Sequence, residues 1–196
     1  MTYSFGTPRP GDFRYVDKNG DNVIDDKDMS PIKYSKIPGI SYGFGLNTSY
    51  KGFDFSIFFQ GLGHYSMSYQ SHGVFETVSH GYYFKYHRNA WTPERWANHE
   101  EITYPALSTD GSVSQKPNSF FIQDRSFLRL KNIELGYTLP KGLLKFAGVT
   151  NCRFYVSGLN LYVWDHLHTD HLDPEVNDPI GYPMTKTVTV GLNVNF

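Results

Sequence analysis

No stretch of this 196-residue sequence is long and apolar enough to cross a bilayer as a helix. That excludes helical spanning and leaves only strands as a way through lipid. Cysteine is nearly missing. Cys152 stands alone, so no internal disulfide forms and the compartment is not told by cysteine usage. An excess of one charge is missing too. The 18 Lys and Arg nearly offset 19 Asp and Glu, and a net charge of −1 offers no basic face to nucleic acid. There is no Gly-rich phosphate loop, nucleophile elbow or C-x-x-C pair, so nothing here reads as an enzyme. Met1-Thr-Tyr-Ser-Phe is not a secretory leader. Apolar residues reach only 39%, while aromatics reach 17%, with 15 Tyr and 15 Phe. That balance suits a membrane β-protein, in which half of each strand faces water.

What is present is alternation. In Thr187–Phe196, Val188, Val190, Leu192, Val194 and Phe196 fall on one face. Thr187, Thr189, Gly191, Asn193 and Asn195 fall on the other. A strand of about 9–11 residues, apolar outward and polar inward, is what spans an outer membrane within a barrel. Residues 40–50 alternate the same way, with Ile40, Tyr42, Phe44, Leu46, Thr48 and Tyr50 on one face. Lys51-Gly52 follows, then Phe53, Phe55, Ile57 and Phe59. A two-residue hairpin pairs Tyr50 with Phe53, so the apolar face runs on without a slip, and Gly52 supplies the positive φ of the turn. Ile133, Leu135, Tyr137 and Leu139 form a further face, as do Cys152, Phe154 and Val156. Leu128 and Leu130 fall out of phase, which a bulge or the end of the apolar band would explain, and phase is lost again beyond Gly158. Five strands are therefore expected, at 40–50, 53–62, 127–139, 151–162 and 186–196.

The connections are lopsided. Residues 51–52 and 140–150 are short, whereas 63–126 and 163–185 are long, the habit of outer-membrane barrels with long extracellular loops. The expected fold is all-β: about five antiparallel strands of a large transmembrane β-barrel. Residues 1–39 are expected as an extracellular loop segment and 40–196 as the barrel segment. Five strands do not close a barrel, and open edges in lipid are costly. The chain is accordingly expected to be the C-terminal end of something longer.

A second pattern is Asp17-Lys-Asn19-Gly-Asp21-Asn-Val23-Ile-Asp25-Asp26-Lys-Asp28. Oxygen-bearing residues at the first, third, fifth, ninth and twelfth positions match a calcium loop, with the Val23 carbonyl at the seventh and Ile24 as apolar anchor. It departs from an EF-hand: Asn22 stands where Gly is usual, Asp28 replaces Glu, and no amphipathic helix precedes it. The expected ligands are Asp17, Asn19, Asp21, Val23, Asp25 and Asp28. A solvated Asx-rich turn is the plain alternative.

These motifs lead to a resemblance. Pro10-Gly-Asp-Phe-Arg-Tyr-Val-Asp-Lys-Asn-Gly-Asp, Ser41-Tyr-Gly-Phe-Gly-Leu, Tyr50-Lys-Gly-Phe-Asp-Phe, Trp91-Thr-Pro-Glu, Ser126-Phe-Leu-Arg-Leu-Lys-Asn-Ile-Glu-Leu-Gly-Tyr-Thr-Leu-Pro, Ser157-Gly-Leu-Asn-Leu and Gly181-Tyr-Pro-Met recur in order to Phe196. Together they resemble the C-terminal part of the SusC/RagA family of TonB-dependent outer-membrane transporters of Bacteroidetes. That resemblance implies a barrel of about 22 strands with a plug. It also implies a SusD-like surface lipoprotein as lid, TonB reached through an N-terminal part this chain lacks, and uptake of glycan or peptide. The terminal Phe196 resembles the signal read by barrel-assembly machinery. The implied location is the bacterial outer membrane.

Loops on a rigid scaffold commonly carry binding, and flat rings pack on sugar faces and at interfaces. Tyr65, Tyr69, Tyr82, Tyr83, Trp91 and Trp96 are placed near the mouth on that ground, with packing inside the loop as the competing role. Thr92-Pro93-Glu94 reads as a helix start. His166, His168 and His171 crowd as zinc ligands do, although loop histidines are more often solvated. Asp173 and Glu175 lack the setting of a glycosidase pair and read as turn chemistry. The other functional reading is a soluble, calcium-stabilised β-module that binds glycans.

Overall fold

The structure, a computed structural model, describes residues 1–69, 83, 85–109, 111–144, 148–168, 172–177, 181–182 and 184–196, with Tyr86 and Leu143 as backbone alone. Among them are nine strands: β1 Thr2–Tyr3, β2 Val23–Ile24, β3 Ile40–Tyr50, β4 Phe53–Gly63, β5 Ser66–Ser68, β6 Ile122–Asp124, β7 Phe127–Thr138, β8 Asn151–Asp165 and β9 Thr187–Asn195. Two short helices, α1 Pro93–Ala97 and α2 Lys141–Leu144, complete the frame. Strands β3-β4-β7-β8-β9 form one antiparallel sheet in that order. These are the five strands expected from alternation, with small shifts at the ends: β8 runs on to Asp165 and β9 starts at Thr187. No helix among the described residues is long and apolar enough to cross a membrane, which leaves crossing by strands untouched.

The chain divides into two compact units. The sheet unit comprises 37–65, 125–166 and 183–196; the loop unit comprises 1–36, 66–124 and 167–182.

In the sheet unit the hairpin is built as the sequence requires. Tyr50 pairs with Phe53, and Lys51 and Gly52 both take positive φ, at 47° and 88°. Gly52 also lies against the Thr138 carbonyl, 2.8 Å from where a Cβ would stand, so no other residue fits this turn. The phase break at Leu128 and Leu130 resolves into a bulge. Phe58 pairs with Asn132 while Phe59 pairs with Leu130, so Lys131 is extra. One inserted residue flips the phase, and it returns Leu128 and Leu130 to the face that carries Ile133 and Leu135. Strand β8 is irregular at the same level, where Asn160 takes φ 52°. It nevertheless keeps Tyr162 and Trp164 opposite Leu130 and Leu128.

The loop unit buries a small core of Tyr69, Ala90, Tyr104 and Phe121, packed by Phe13, Met67, Phe120, Leu167 and Leu172. The pairs β1-β2 (parallel) and β5-β6 (antiparallel) belong to it. Helix α1 starts as read: Thr92 caps it, its Oγ1 accepting from Arg95 N at 3.2 Å, with Pro93 in the first turn.

Candidate functional site

Four features could carry function: the apolar face of the sheet, the charged cluster on its other face, and the cleft and the acidic loop of the loop unit.

Side chains of paired residues in an antiparallel sheet point the same way, so the register sorts the sheet into rows. One row is Tyr50, Phe53, Tyr137, Phe154 and Leu192. The next are Thr48, Phe55, Leu135, Val156, Val190 and then Leu46, Ile57, Ile133, Gly158, Val188. Beyond the bulge come Phe44, Phe59, Leu130, Tyr162 and Tyr42, Gly61, Leu128, Trp164. The face is thus apolar except at Thr48, with mainly aliphatic rows between two aromatic bands. Rings touch within the bands: Phe53 and Tyr137 at 4.5 Å, Tyr162 and Trp164 at 4.6 Å. Tyr42 lies across Gly61, where a Cβ would overlap its ring, and donates to the Phe127 carbonyl at 2.9 Å. From Tyr42 to Tyr50 the strand climbs about 27 Å, or roughly 20 Å vertically if tilted as barrel strands are, close to the apolar band of an outer-membrane barrel. The face is exposed: Leu135 is 54% accessible and Phe196, just past β9, 87%.

The opposite face carries Ser, Asn, Gly and charge. Arg153 donates from Nε to Asp54 Oδ2 at 3.0 Å, from Nη2 to Asp54 Oδ1, and from Nη2 to Glu134 Oε1 at 2.6 Å. Gly136 makes this possible, because a Cβ there would overlap the guanidinium. Sequence reasoning missed this cluster. Each residue was on the polar phase of its strand, but only the register brings the three together. Buried Arg129 over Phe127, and Arg125 over Tyr65, were missed as well.

In the loop unit, Trp91 and Trp96 line a cleft of about 660 Å³ with Pro10, Phe13, Tyr104 and Phe120 among its walls. Among the described residues, these are the only two mouth residues of the sequence reading that the structure brings together. Tyr69 is buried in the core, and Tyr65, in the sheet unit, is buried under Arg125. Tyr83 is exposed and meets the edge of His87. Tyr82 lies outside the described residues. The cleft's backbone frame, which joins Gly11, Trp91 and Tyr104, had no sequence signal because those segments are far apart in the chain.

The acidic loop is closed by its own amides. Asp17 accepts from Gly20 N at 2.6 Å and Asn22 N at 2.8 Å, Asn19 from Asp21 N, and Asp21 from Val23 N. Asp28 accepts from Lys18 N at 2.8 Å and Asp25 N at 3.0 Å. These amides, Asp25's first, hold the Asp28 carboxyl below the usual carboxylate range. Ile24 is buried and anchors the loop through β1-β2. Lys27 Nζ stands 3.9 Å from Asp21 and 3.7 Å from Asp25, so a cation already faces these two groups. Among the described residues no three His, Cys, Asp or Glu side chains gather as a metal cluster. His171 lies outside them, and His168 packs on Phe120 while its amide donates to Gln123.

No family model matches the chain. Individual proteins do. The chain is similar to TonB-dependent receptor P26 of Formosa agariphila, with 31% identity over 95% of this chain and 20% of that protein. It is similar to TonB-dependent receptor SusC of Bacteroides thetaiotaomicron, with 30% identity over 96% of this chain and 18% of that one. Among solved structures it matches the RagAB peptide importer in the open-open state, at 27% identity and a TM-score of 0.61, covering 93% of this chain and 20% of that one. The chain thus spans about a fifth of the length of the relatives it matches. The resemblance to SusC/RagA-type receptors read from the motifs is borne out, and the five-stranded antiparallel sheet corresponds to a fragment of such a receptor's barrel.

Proposed function

We propose that this chain, a relative of SusC/RagA-type TonB-dependent receptors, forms part of the barrel wall of an outer-membrane nutrient importer. One observation carries the reading. A single five-stranded sheet presents an apolar, aromatic-banded face, and no second layer covers it among the described residues. In water such a face would be a large aggregation-prone patch; in lipid it is the required surface. The edge strands β3 and β9 are where further barrel strands would pair. The soluble glycan-binding module required Phe53, Phe55, Ile57 and Phe59 to be buried between two sheets, and nothing in the structure supports it.

On this reading the long loops 63–126 and 163–185 shape the extracellular mouth and meet a SusD-like lipoprotein. The plug and TonB-contacting parts lie in other segments of the protein. The imported nutrient is an oligomer, glycan or peptide, and the RagAB neighbour, a peptide importer by name, favours peptide. Phe196 serves as the assembly signal. Deleting part of 63–126 from the intact importer is expected to lower uptake or lid association while the barrel still assembles. Removing Phe196 is expected to reduce the amount in the outer membrane. Unchanged uptake and lid binding in the first case overturns the mouth assignment, and normal membrane levels in the second overturns the assembly role.

The acidic loop is proposed to hold one calcium through Asp17, Asn19, Asp21, Asp25 and Asp28 with the Val23 carbonyl. Lys27 is exposed enough to swing aside, and an extracellular site need bind only at roughly 10⁻⁴–10⁻³ M. A thermal shift on adding calcium to the purified importer, lost in Asp21→Ala, is the expected result. No calcium on metal analysis, with no shift in either protein, ends the proposal.

A further inference from the structure

We propose that the cleft of the loop unit binds a neutral, proline-bearing stretch of extended peptide. The source of that peptide, a transported substrate, rests on the importer reading above; the chemistry of the cleft does not.

The cleft is preformed. Trp91 N donates to the Tyr104 carbonyl at 2.9 Å, Thr103 N to the Asn89 carbonyl at 3.0 Å and Ala106 N to the Gly11 carbonyl at 3.0 Å. Three distant segments are thereby tied into one frame. Gly11 takes φ 88°, and a Cβ there would overlap the Trp91 ring, so the indole lies flat against bare backbone. Trp96 stands on α1 with 67% of its surface exposed at the cleft's edge. Pro10, Pro105 and Tyr104 add further flat apolar faces.

The polar groups decide the ligand class. Among the described residues, Asp12 carries the only charged side chain in the lining. Its carboxylate accepts from Arg9 N at 2.8 Å and Ser114 Oγ at 3.1 Å, and its side chain is 1% exposed. It is spent, and no open charge remains among the described lining residues. What is left on the side chains is the indole N–H of Trp91 and of Trp96 and the Thr103 hydroxyl, none of which has a hydrogen-bond partner among the described residues. Indole N–H groups donate and never accept, so the Thr103 hydroxyl is the one acceptor among these three groups. A sugar brings a hydroxyl donor at nearly every carbon, and each donor buried without an acceptor costs about 1–3 kcal/mol. Proline brings a carbonyl acceptor and no N–H at all. Its polyproline II geometry turns those carbonyls outward and leaves little entropy to lose, and aromatic-lined grooves take such segments by ring packing. Donor-bearing rings with no open carboxylate therefore match proline-bearing peptide better than glycan.

The test uses the full-length importer in detergent and a fluorescein-labelled hexaproline with neutral ends, read by fluorescence anisotropy. Saturable binding is expected. Trp96→Ala is expected to weaken it about tenfold, the loss of roughly 1.4 kcal/mol that truncating a contacting Trp commonly brings. Trp96 is largely exposed, so its loss empties no core. Thr103→Val, nearly isosteric, weakens binding less but measurably, and Met29→Ala, exposed and outside the cleft, leaves it unchanged. Unlabelled hexaproline competes; maltohexaose and a Gly-Ser hexapeptide do not. Absence of saturable binding, an unchanged affinity in Trp96→Ala, or equal displacement by maltohexaose overturns the proposal. Uptake of peptide by cells is scored separately. Normal uptake with no cleft binding removes this inference and leaves the importer reading standing, whereas cleft binding with no uptake of any oligomer does the reverse.

Discussion

In the loop unit, Phe121 is 1% exposed at the centre of a core with Tyr69 and Tyr104; in the sheet unit, Leu135 is 54% exposed in the middle of a row of apolar side chains. Phe13, Phe120 and Phe121 pack tilted and edge to face inside the first unit, while Phe53, Tyr137 and Phe154 line up across an open face in the second. Polar groups are not sorted in this way, and both units bury some of them. The sheet unit keeps Arg153, Asp54 and Glu134 paired on one face and buries Arg129. The loop unit keeps Asp17 and Asp21 in an exposed turn but buries the Asp12 side chain, His87, Ser114 and Gln123. The same apolar residue types are sorted by the medium each unit is built for. The loop unit hides apolar surface from water, and the sheet unit offers it to something apolar.

The largest expected effect strikes the loop unit. Phe121→Ala removes a fully buried ring and should cost about 3–5 kcal/mol of that unit's stability. Limited proteolysis of the full-length protein should then cut within 83–124 while the strands stay protected. Equal loss of protection in β3, β4, β7, β8 and β9 would show that the two units do not have separate stabilities.

Leu135→Arg comes next and tests the medium directly. In water an exposed leucine can be exchanged within about ±0.5 kcal/mol. At the middle of a lipid-facing band the same change costs about 2–4 kcal/mol. Denaturant unfolding of the full-length protein in lipid vesicles reads the difference, and a near-zero effect would remove the distinction between the units.

How much of this could be read in advance differs between them. The apolar face was legible because alternation is a local property with a period of two, fixed by the backbone. Even the misfit at Leu128 and Leu130 was visible as a misfit. That Lys131 is the inserted residue required the partner strand, since a bulge is defined by pairing. The cleft was not legible at all, for Pro10, Trp91 and Tyr104 are far apart in the chain and carry no shared period. Thr92 and Pro93 were, because a helix cap acts within three residues.

Thr92→Ala is therefore a modest test of a local signal. Loss of the bond to Arg95 N should cost about 1 kcal/mol. Hydrogen exchange at Arg95 and Trp96 should rise with little change in β7 or β8.

The smallest effect concerns pH. Asp28 is held below the ordinary carboxylate range chiefly by the Asp25 amide and then by the Lys18 amide. A depressed folded-state pKa contributes stability above the unfolded value, near pH 4, and that contribution fades as pH falls through the folded value. Amide exchange at Lys18 and Asp25 should accordingly quicken below pH 4 after correction for its intrinsic pH dependence, and Asp28→Asn should flatten the response. An unaltered profile in Asp28→Asn would show that these bonds do not hold the loop.

The sequence by itself determined the five strands of the large sheet, which of their faces is apolar, where the Lys51-Gly52 hairpin turns and how α1 begins, because each of these is set by neighbours within a few residues; it left the short strands β1, β2, β5 and β6 undetermined. Tertiary structure alone decided the rest. It set the register that gathers Asp54, Glu134 and Arg153 over Gly136, the bulge that realigns Leu128 and Leu130, and the frame that joins Gly11, Trp91 and Tyr104 into a cleft. Those features depend on which distant backbone meets which, and hydrogen bonds between remote segments leave no periodic trace in the chain.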